Sequence, residues 1–179
     1  MRPTRVQVAR SVGMALTVVA LLWGCRDEPS SAGRDGPPAP AIKLESLDHE
    51  RFYLRDHRGK PVVLLFWDTS CVVCKRQMVE LERMRKSLGP SRLVVASVLN
   101  DPENAAAARR MIAGLGLGFP ALLDRGGKVA AAYRVGGFPT TVVVTPEGRL
   151  GLVREGYTEP LMKQLRTELE RHLESAGDG

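Results

Sequence analysis

The spacing of apolar residues predicts a chain built from short buried strands alternating with one-faced helices. Val62–Trp67 is six apolar residues in a row, entered through Gly59-Lys60-Pro61. A short run of this kind between breakers is the pattern of a strand buried on both faces. Beyond it Cys74, Met78, Leu81, Arg85 and Leu88 step by four, three, four and three, a helical stripe closed by Gly89-Pro90. Leu93–Leu99 repeats the buried-strand pattern, and Asp101-Pro102 opens an alanine-rich helix to about Leu115. Pro120–Leu123 reads as a short extended piece and Gly127–Tyr133 as a short helix. Thr140–Val144 and Leu150–Arg154 flank Pro146-Glu147-Gly148, so they predict a hairpin. Leu161, Leu165, Leu169 and His172 or Leu173 mark a last helix. Upstream, Leu44–Leu47 and Phe52–Leu54 surround a polar turn and predict a further hairpin.

Strand, helix, strand, helix, hairpin and helix in that order imply an α/β fold over residues 42–175. Its centre is a mixed sheet, parallel in the middle with an antiparallel edge, flanked by helices and preceded by an N-terminal hairpin.

The N-terminus follows a different pattern. Residues 1–10 hold Arg2, Arg5 and Arg10 and no acid, and Val12–Trp23 is an apolar run of 12 residues. Such a run is too short to span a bilayer core of about 30 Å, but it suits a secretory signal. Residues 1–24 are therefore expected to be a signal peptide. Leu22, Gly24 and Cys25 resemble the lipobox of bacterial lipoproteins, which implies cleavage before Cys25 and lipidation of its sulfur. Residues 26–41 contain four prolines, two glycines and two serines without apolar periodicity. The stretch 25–41 thus reads as a lipidated cysteine followed by a flexible linker. Together these features imply export to the cell envelope, with a membrane anchor made of lipid.

Charge changes the picture little. The net charge of +6 becomes +3 once the three signal arginines are removed, no long basic block follows, and aromatics do not alternate with cations. Nucleic acid is therefore not an expected partner.

The chemistry is concentrated at the end of the first buried strand. Cys71 and Cys74 stand at a predicted strand-to-helix transition. Unpaired N–H groups and the helix dipole favour a thiolate there, so Cys71 can attack a disulfide, and Cys74, one turn on, can resolve the product. Three cysteines, one assigned to lipid, leave this one pair. Two other readings stay open at this point: a structural disulfide, whose small loop would constrain the unfolded chain little, and a zinc or copper site. A metal centre is not expected, because no second cysteine pair exists and His49, His57 and His172 are scattered, reading as surface or hairpin residues. No cofactor is expected either.

Phe66-Trp67-Asp68-Thr69-Ser70-Cys71-Val72-Val73-Cys74-Lys75 resembles the active-site stretch of the thioredoxin superfamily, and Gly137-Phe138-Pro139-Thr140-Thr141 resembles its cis-proline loop. The order Gly59-Lys60-Pro61, Trp67, the cysteine pair, Leu122-Leu123-Asp124, Tyr133-Arg134-Val135 and Gly148 is similar throughout to the exported, membrane-tethered TlpA/ResA-type thiol:disulfide oxidoreductases. The resemblance implies a thioredoxin-like fold, with Cys71 as nucleophile and Cys74 as resolving cysteine. It implies a substrate-binding rim of Trp67, Phe138, Pro139 and Thr140, with a cis bond before Pro139. It also implies protein thiols or disulfides as partners and an upstream membrane electron donor.

Departures from the pattern bear on mechanism. Thioredoxins carry a buried acid six residues before the nucleophile, where this chain has Leu65, and ResA-type proteins carry a glutamate where it has Gln77. Asp68 and Glu80 are the candidates to stand in as proton acceptors for Cys74. Val79 replaces a family proline, which implies a helix without its kink, and Val72-Val73 puts an apolar lip beside Cys71. The expected function is disulfide reduction on envelope proteins; the alternatives are a redox-inert binding module of the same fold and a copper-binding carrier.

Overall fold

The computed structural model describes residues 36–175, so the expected signal peptide and Cys25 lie outside the described residues. Strand β3 (Val62–Trp67) is the axis of the fold, with all six residues buried. It pairs in parallel with β4 (Val94–Leu99) and antiparallel with β6 (Thr140–Val144). Outside these lie β5 (Ala121–Leu123), parallel to β4, and β7 (Leu150–Glu155), antiparallel to β6. The five-stranded order is β5-β4-β3-β6-β7, the mixed sheet that the pattern predicts.

Because successive side chains of a strand face opposite ways, β3 feeds two cores. Val63, Leu65 and Trp67 pack with α1 (Val72–Leu88), α2 (Ala105–Leu115) and α4 (Glu159–Ser175), through Cys74, Met78, Leu81, Ala108, Leu165 and Leu169. Val62, Leu64 and Phe66 pack with α3 (Lys128–Ala132) and with Ile42, Phe52 and Leu54 of the N-terminal hairpin, β1 (Lys43–Glu45) and β2 (Arg51–Tyr53). Helix α1 runs unbroken past Val79 and ends at Gly89, whose N–H reaches Arg85 O at 3.1 Å. Helix α2 ends in left-handed Gly116 (φ 63°), a conformation that glycine adopts without steric cost. The predicted helix at Asp101-Pro102 begins as a 3-10 turn over Pro102–Asn104, with α2 proper starting at Ala105.

Two features differ from the pattern-based reading. Residues 36–41, which composition assigns to the flexible linker, are extended and tied to the far end of the sheet. Gly36 N–H donates to Leu150 O at 3.0 Å, Leu150 N–H to Pro37 O at 2.8 Å and Ala39 N–H to Gly148 O at 3.0 Å. Tyr133 Oη donates to Pro40 O at 2.8 Å. The ordered chain therefore begins before Ile42. Three backbone groups satisfied on a sheet edge and a fourth by a tyrosine leave no trace in hydrophobic periodicity. At the opposite edge Leu47 N–H donates to Ala121 O at 2.8 Å, so both rims of the sheet carry N-terminal backbone, which blunts edge pairing. The second difference is His172, which reads as a surface residue but lies on the buried face of α4 with Nε2 3.1 Å from Glu168 Oε1.

One buried ion pair lies within α1, packed against Gly118 of the loop before β5. The Glu82 carboxylate, 5% exposed, takes Arg85 Nε and Nη2, both at 2.9 Å, and lies 3.3 Å from Lys86 Nζ. The Arg85 guanidinium holds the Glu82 carboxyl below its ordinary value of 4.5. Breaking such a pair strands the remaining charge, so Glu82→Ala should cost about 3 kcal/mol, read from urea midpoints at pH 7. A depressed carboxyl stabilises the fold fully above its unfolded value and ceases to do so as pH falls through the lowered one. The difference between wild type and Glu82→Ala should therefore shrink below about pH 4; a gap unchanged there would rule out this role for the pair.

Candidate active site

The end of β3 delivers Asp68-Thr69-Ser70 and then Cys71, directly before α1. Asp68 turns the chain: its Oδ1 accepts Cys71 N–H at 2.8 Å and Ser70 Oγ at 2.7 Å. Cys71 takes the N-cap position of α1, where its Sγ accepts the Cys74 N–H at 3.1 Å. A disulfide joins Cys71 and Cys74. The two sulfurs differ in access, because Cys71 is half-buried and Cys74 is fully buried. A partner can reach only the first. Val72 and Val73, 74% and 47% exposed, are two of the three large apolar residues most open to solvent among the described residues. They form an apolar rim beside Cys71.

The other predicted site residues come from β6 and its approach. Phe138–Pro139 is a cis peptide bond. Phe138 is half-buried and packs against both cores, Pro139 is buried, and Thr140 Oγ1 donates to Gly137 O at 2.7 Å. Trp67 is fully buried in the core that holds Cys74, and its Nε1 has no hydrogen-bond partner among the described residues. It therefore lies under the cysteine pair as core, not on the rim. Antiparallel pairing of β3 with β6 sets Phe66 opposite Thr140, which brings the loop before β6 to the same end of the sheet as Cys71.

The two departures from the family pattern meet at one residue. Thr141 is the cross-strand partner of Leu65, and its Oγ1 accepts Gln77 Nε2 at 2.6 Å. Gln77 is 0% exposed and lies one turn beyond Cys74 on the same helix. A neutral amide and a hydroxyl thus hold α1 to β6 behind the buried sulfur. Gln77 Oε1 faces no donor among the described residues. The two candidate acceptors are engaged elsewhere. Asp68 caps the turn, and Glu80 Oε1 accepts Tyr157 Oη at 2.5 Å, with Arg76 3.9 Å from Glu80 and 5.2 Å over the Tyr157 ring. The hydrogen bond to Glu80 raises the Tyr157 phenol above its ordinary range. Tyr157 sits near the site because Gly156 N–H donates to Pro139 O at 2.7 Å, a connection with no sequence signal. Among the described residues no group of three or more His, Cys, Asp or Glu side chains gathers as metal ligands.

The sequence pattern of the AhpC/TSA family matches residues 36–153. Thiol-disulfide oxidoreductase ResA of Geobacillus kaustophilus is 36% identical over 143 residues, 78% of this chain and 76% of that protein. ResA of Bacillus subtilis is 33% identical over 122 residues, 68% of each. Among solved structures, the exposed lipoprotein thioredoxin Etrx1 of Streptococcus pneumoniae superposes with a TM-score of 0.62 at 27% identity, covering 73% of this chain and all of that one.

The unequal access of the sulfurs has a direct consequence for the reduced protein. Iodoacetamide should modify Cys71 at least about tenfold faster than Cys74 at pH 8. Peptide mass spectrometry after brief labelling checks this; equal labelling would mean that the pair does not stay packed once opened.

Proposed function

The chain belongs to the AhpC/TSA family and is a thioredoxin-fold thiol-disulfide oxidoreductase, and from that premise we propose that it reduces disulfides of protein partners in the cell envelope. The observation that carries the reading is the Cys71–Cys74 pair at the start of α1, one sulfur reachable and one buried, with the Phe138–Pro139 loop at the same end of the sheet. In the reduced protein the Cys71 thiolate attacks one sulfur of a partner disulfide. A Cys71–partner bond forms and the partner's other sulfur leaves as thiolate. Cys74, as thiolate, then attacks Cys71 Sγ, closing the internal disulfide and releasing the partner's second sulfur. Two electrons pass to the partner, and an upstream dithiol must return them.

The direction follows from what surrounds Cys71. A strong oxidant owes its potential to a stabilised thiolate in the reduced form. Between these cysteines lie two valines, and the Cys71 N–H is already taken by the Asp68 carboxylate. No cation stands between the cysteines, so a Cys71 thiolate gains the Cys74 N–H and the helix terminus but no side-chain charge from the intervening pair, which favours a reducing couple over a strongly oxidising one. Val72 and Val73 suit apolar side chains flanking the partner cysteine, and the Phe138 backbone at the cis-proline suits an extended partner segment. The lipobox-like Leu22-Trp23-Gly24-Cys25 supports lipid anchorage at Cys25, with residues 1–24 removed and the domain facing the envelope; the likeness to an exposed lipoprotein thioredoxin supports the same placement.

Cys71→Ser should abolish insulin reduction, and Cys74→Ser should accumulate a mixed disulfide visible on non-reducing gels. Equilibration in glutathione buffers should place the couple near or below about −230 mV. A value near about −120 mV would reverse the direction, and no reversible exchange at all would leave a binding module.

A further inference from the structure

We propose that Asp101 is a positioning residue that holds the backbone ahead of Cys71 in register for attack once the disulfide is open. The inference rests on the reading of Cys71 as nucleophile and adds to it a residue from the loop that follows β4. Chains leave β3 and β4 side by side: Asn100 N–H donates to Trp67 O at 2.9 Å, one step beyond the last ladder pair. The next residue, Asp101, turns its carboxylate across the gap. Both oxygens lie 3.1 Å from the Thr69 N–H, and Oδ2 also accepts the Thr69 hydroxyl and Asn104 Nδ2, the latter at 3.0 Å. Asp101 is itself braced, since its carbonyl accepts Asn104 N–H at 2.9 Å and Pro102 follows. None of its carboxylate bonds go to the N-terminal amides of α2, so the carboxylate is not acting as a helix cap.

Thr69 is thus held at two points by one carboxylate 32 residues away in sequence, two positions before the nucleophile. The turn from 68 to 71 is fixed from within by Asp68 and from outside by Asp101. In the oxidised protein these ties are redundant, because the disulfide already holds Cys71. In the reduced protein they add to the α1 N-terminus in keeping the Cys71 backbone in place. Thiol exchange needs attacking, central and leaving sulfurs nearly in line, and an ångström of misplacement can cost about a hundredfold in rate. A loose turn also lowers the effective concentration of Cys71 at Cys74, which weakens closure of the internal disulfide. Loss of Asp101 should therefore slow exchange and make the pair a poorer reductant, by the same physical cause.

Asp101→Ala, Asp101→Asn and Thr69→Val are compared with wild type in full-length protein. The readouts are insulin reduction, the glutathione equilibrium and the pH profile of Cys71 alkylation. Asp101→Ala should lose roughly tenfold or more in kcat/KM and shift the glutathione equilibrium about tenfold towards the dithiol, which corresponds to about 30 mV. Asp101→Asn keeps an oxygen for Thr69 and should restore most of both. Thr69→Val loses the hydroxyl tie alone and should fall between, and it carries the test if Asp101→Ala does not fold. Wild-type behaviour of folded Asp101→Ala would overturn the proposal. So would an Asn variant as impaired as Ala with a displaced alkylation profile, since Asp101 would then act through its charge. A wild type that exchanges no disulfide sinks the underlying reading instead, and the two failures are told apart in the same experiment.

Discussion

Everything in this domain depends on burying β3 on both faces at once. Six consecutive apolar side chains leave water there, worth on the order of 10 kcal/mol before chain entropy is counted. Three of them face the helices α1, α2 and α4, and three face the N-terminal hairpin and α3. With both faces and both edges occupied, the strand can be extended only at its ends. Its C-terminal end is where polar groups first become affordable, and there the chain sets Asp68, Thr69, Ser70 and Cys71 in succession. Parallel β4 and antiparallel β6 then bring one loop each to that end, carrying Asp101 from one side and Pro139 from the other. The site is a by-product of where a dry strand has to stop.

Most of the frame was legible because it is written in burial. The run Val62–Trp67, the stripe from Cys74 to Leu88 and the turn at Pro146-Glu147-Gly148 each encode one element through apolar spacing or turn chemistry, and each element is present. The cysteine pair was legible for a different reason: few residue types do its chemistry, and their spacing is fixed by one helical turn. What escaped is held by hydrogen bonds between distant polar groups. Residues 36–41 look like tether because proline and glycine dominate them, yet their carbonyls and amides complete a sheet edge. Asp101 reads as a helix-opening residue because a proline follows it, while its carboxylate reaches sideways to Thr69. His172 falls on the apolar stripe of α4, but its polar chemistry reads as surface while the structure buries it beside Leu173.

The polar chemistry near the buried sulfur is spare. Leu65 and Gln77 replace two ionisable groups, and both lie against Thr141, so the space behind Cys74 holds an amide and a hydroxyl in place of a carboxylate. The two acids that could stand in are committed to structural tasks, Asp68 to the turn and Glu80 to Tyr157. A neutral lining costs less to bury than a charge, and it leaves proton transfer to Cys74 to groups that can enter from the solvent side. The reactivity of the pair is accordingly governed by backbone: the N–H groups of the first turn of α1 and the ties that hold the residues before it.

The docking of residues 36–41 also settles how the domain can be handled from outside. Gly36 meets Leu150, and Leu150 pairs with Val144, which pairs with Val62 at the start of β3. Cys71 follows the other end of that strand, six residues and about 20 Å away. The polypeptide therefore joins the folded body at the pole opposite its reactive sulfur, as a handle joins a brush. A force applied at Gly36 is therefore met first by the edge hydrogen bonds to Leu150 and Gly148, at the end of the sheet away from Cys71.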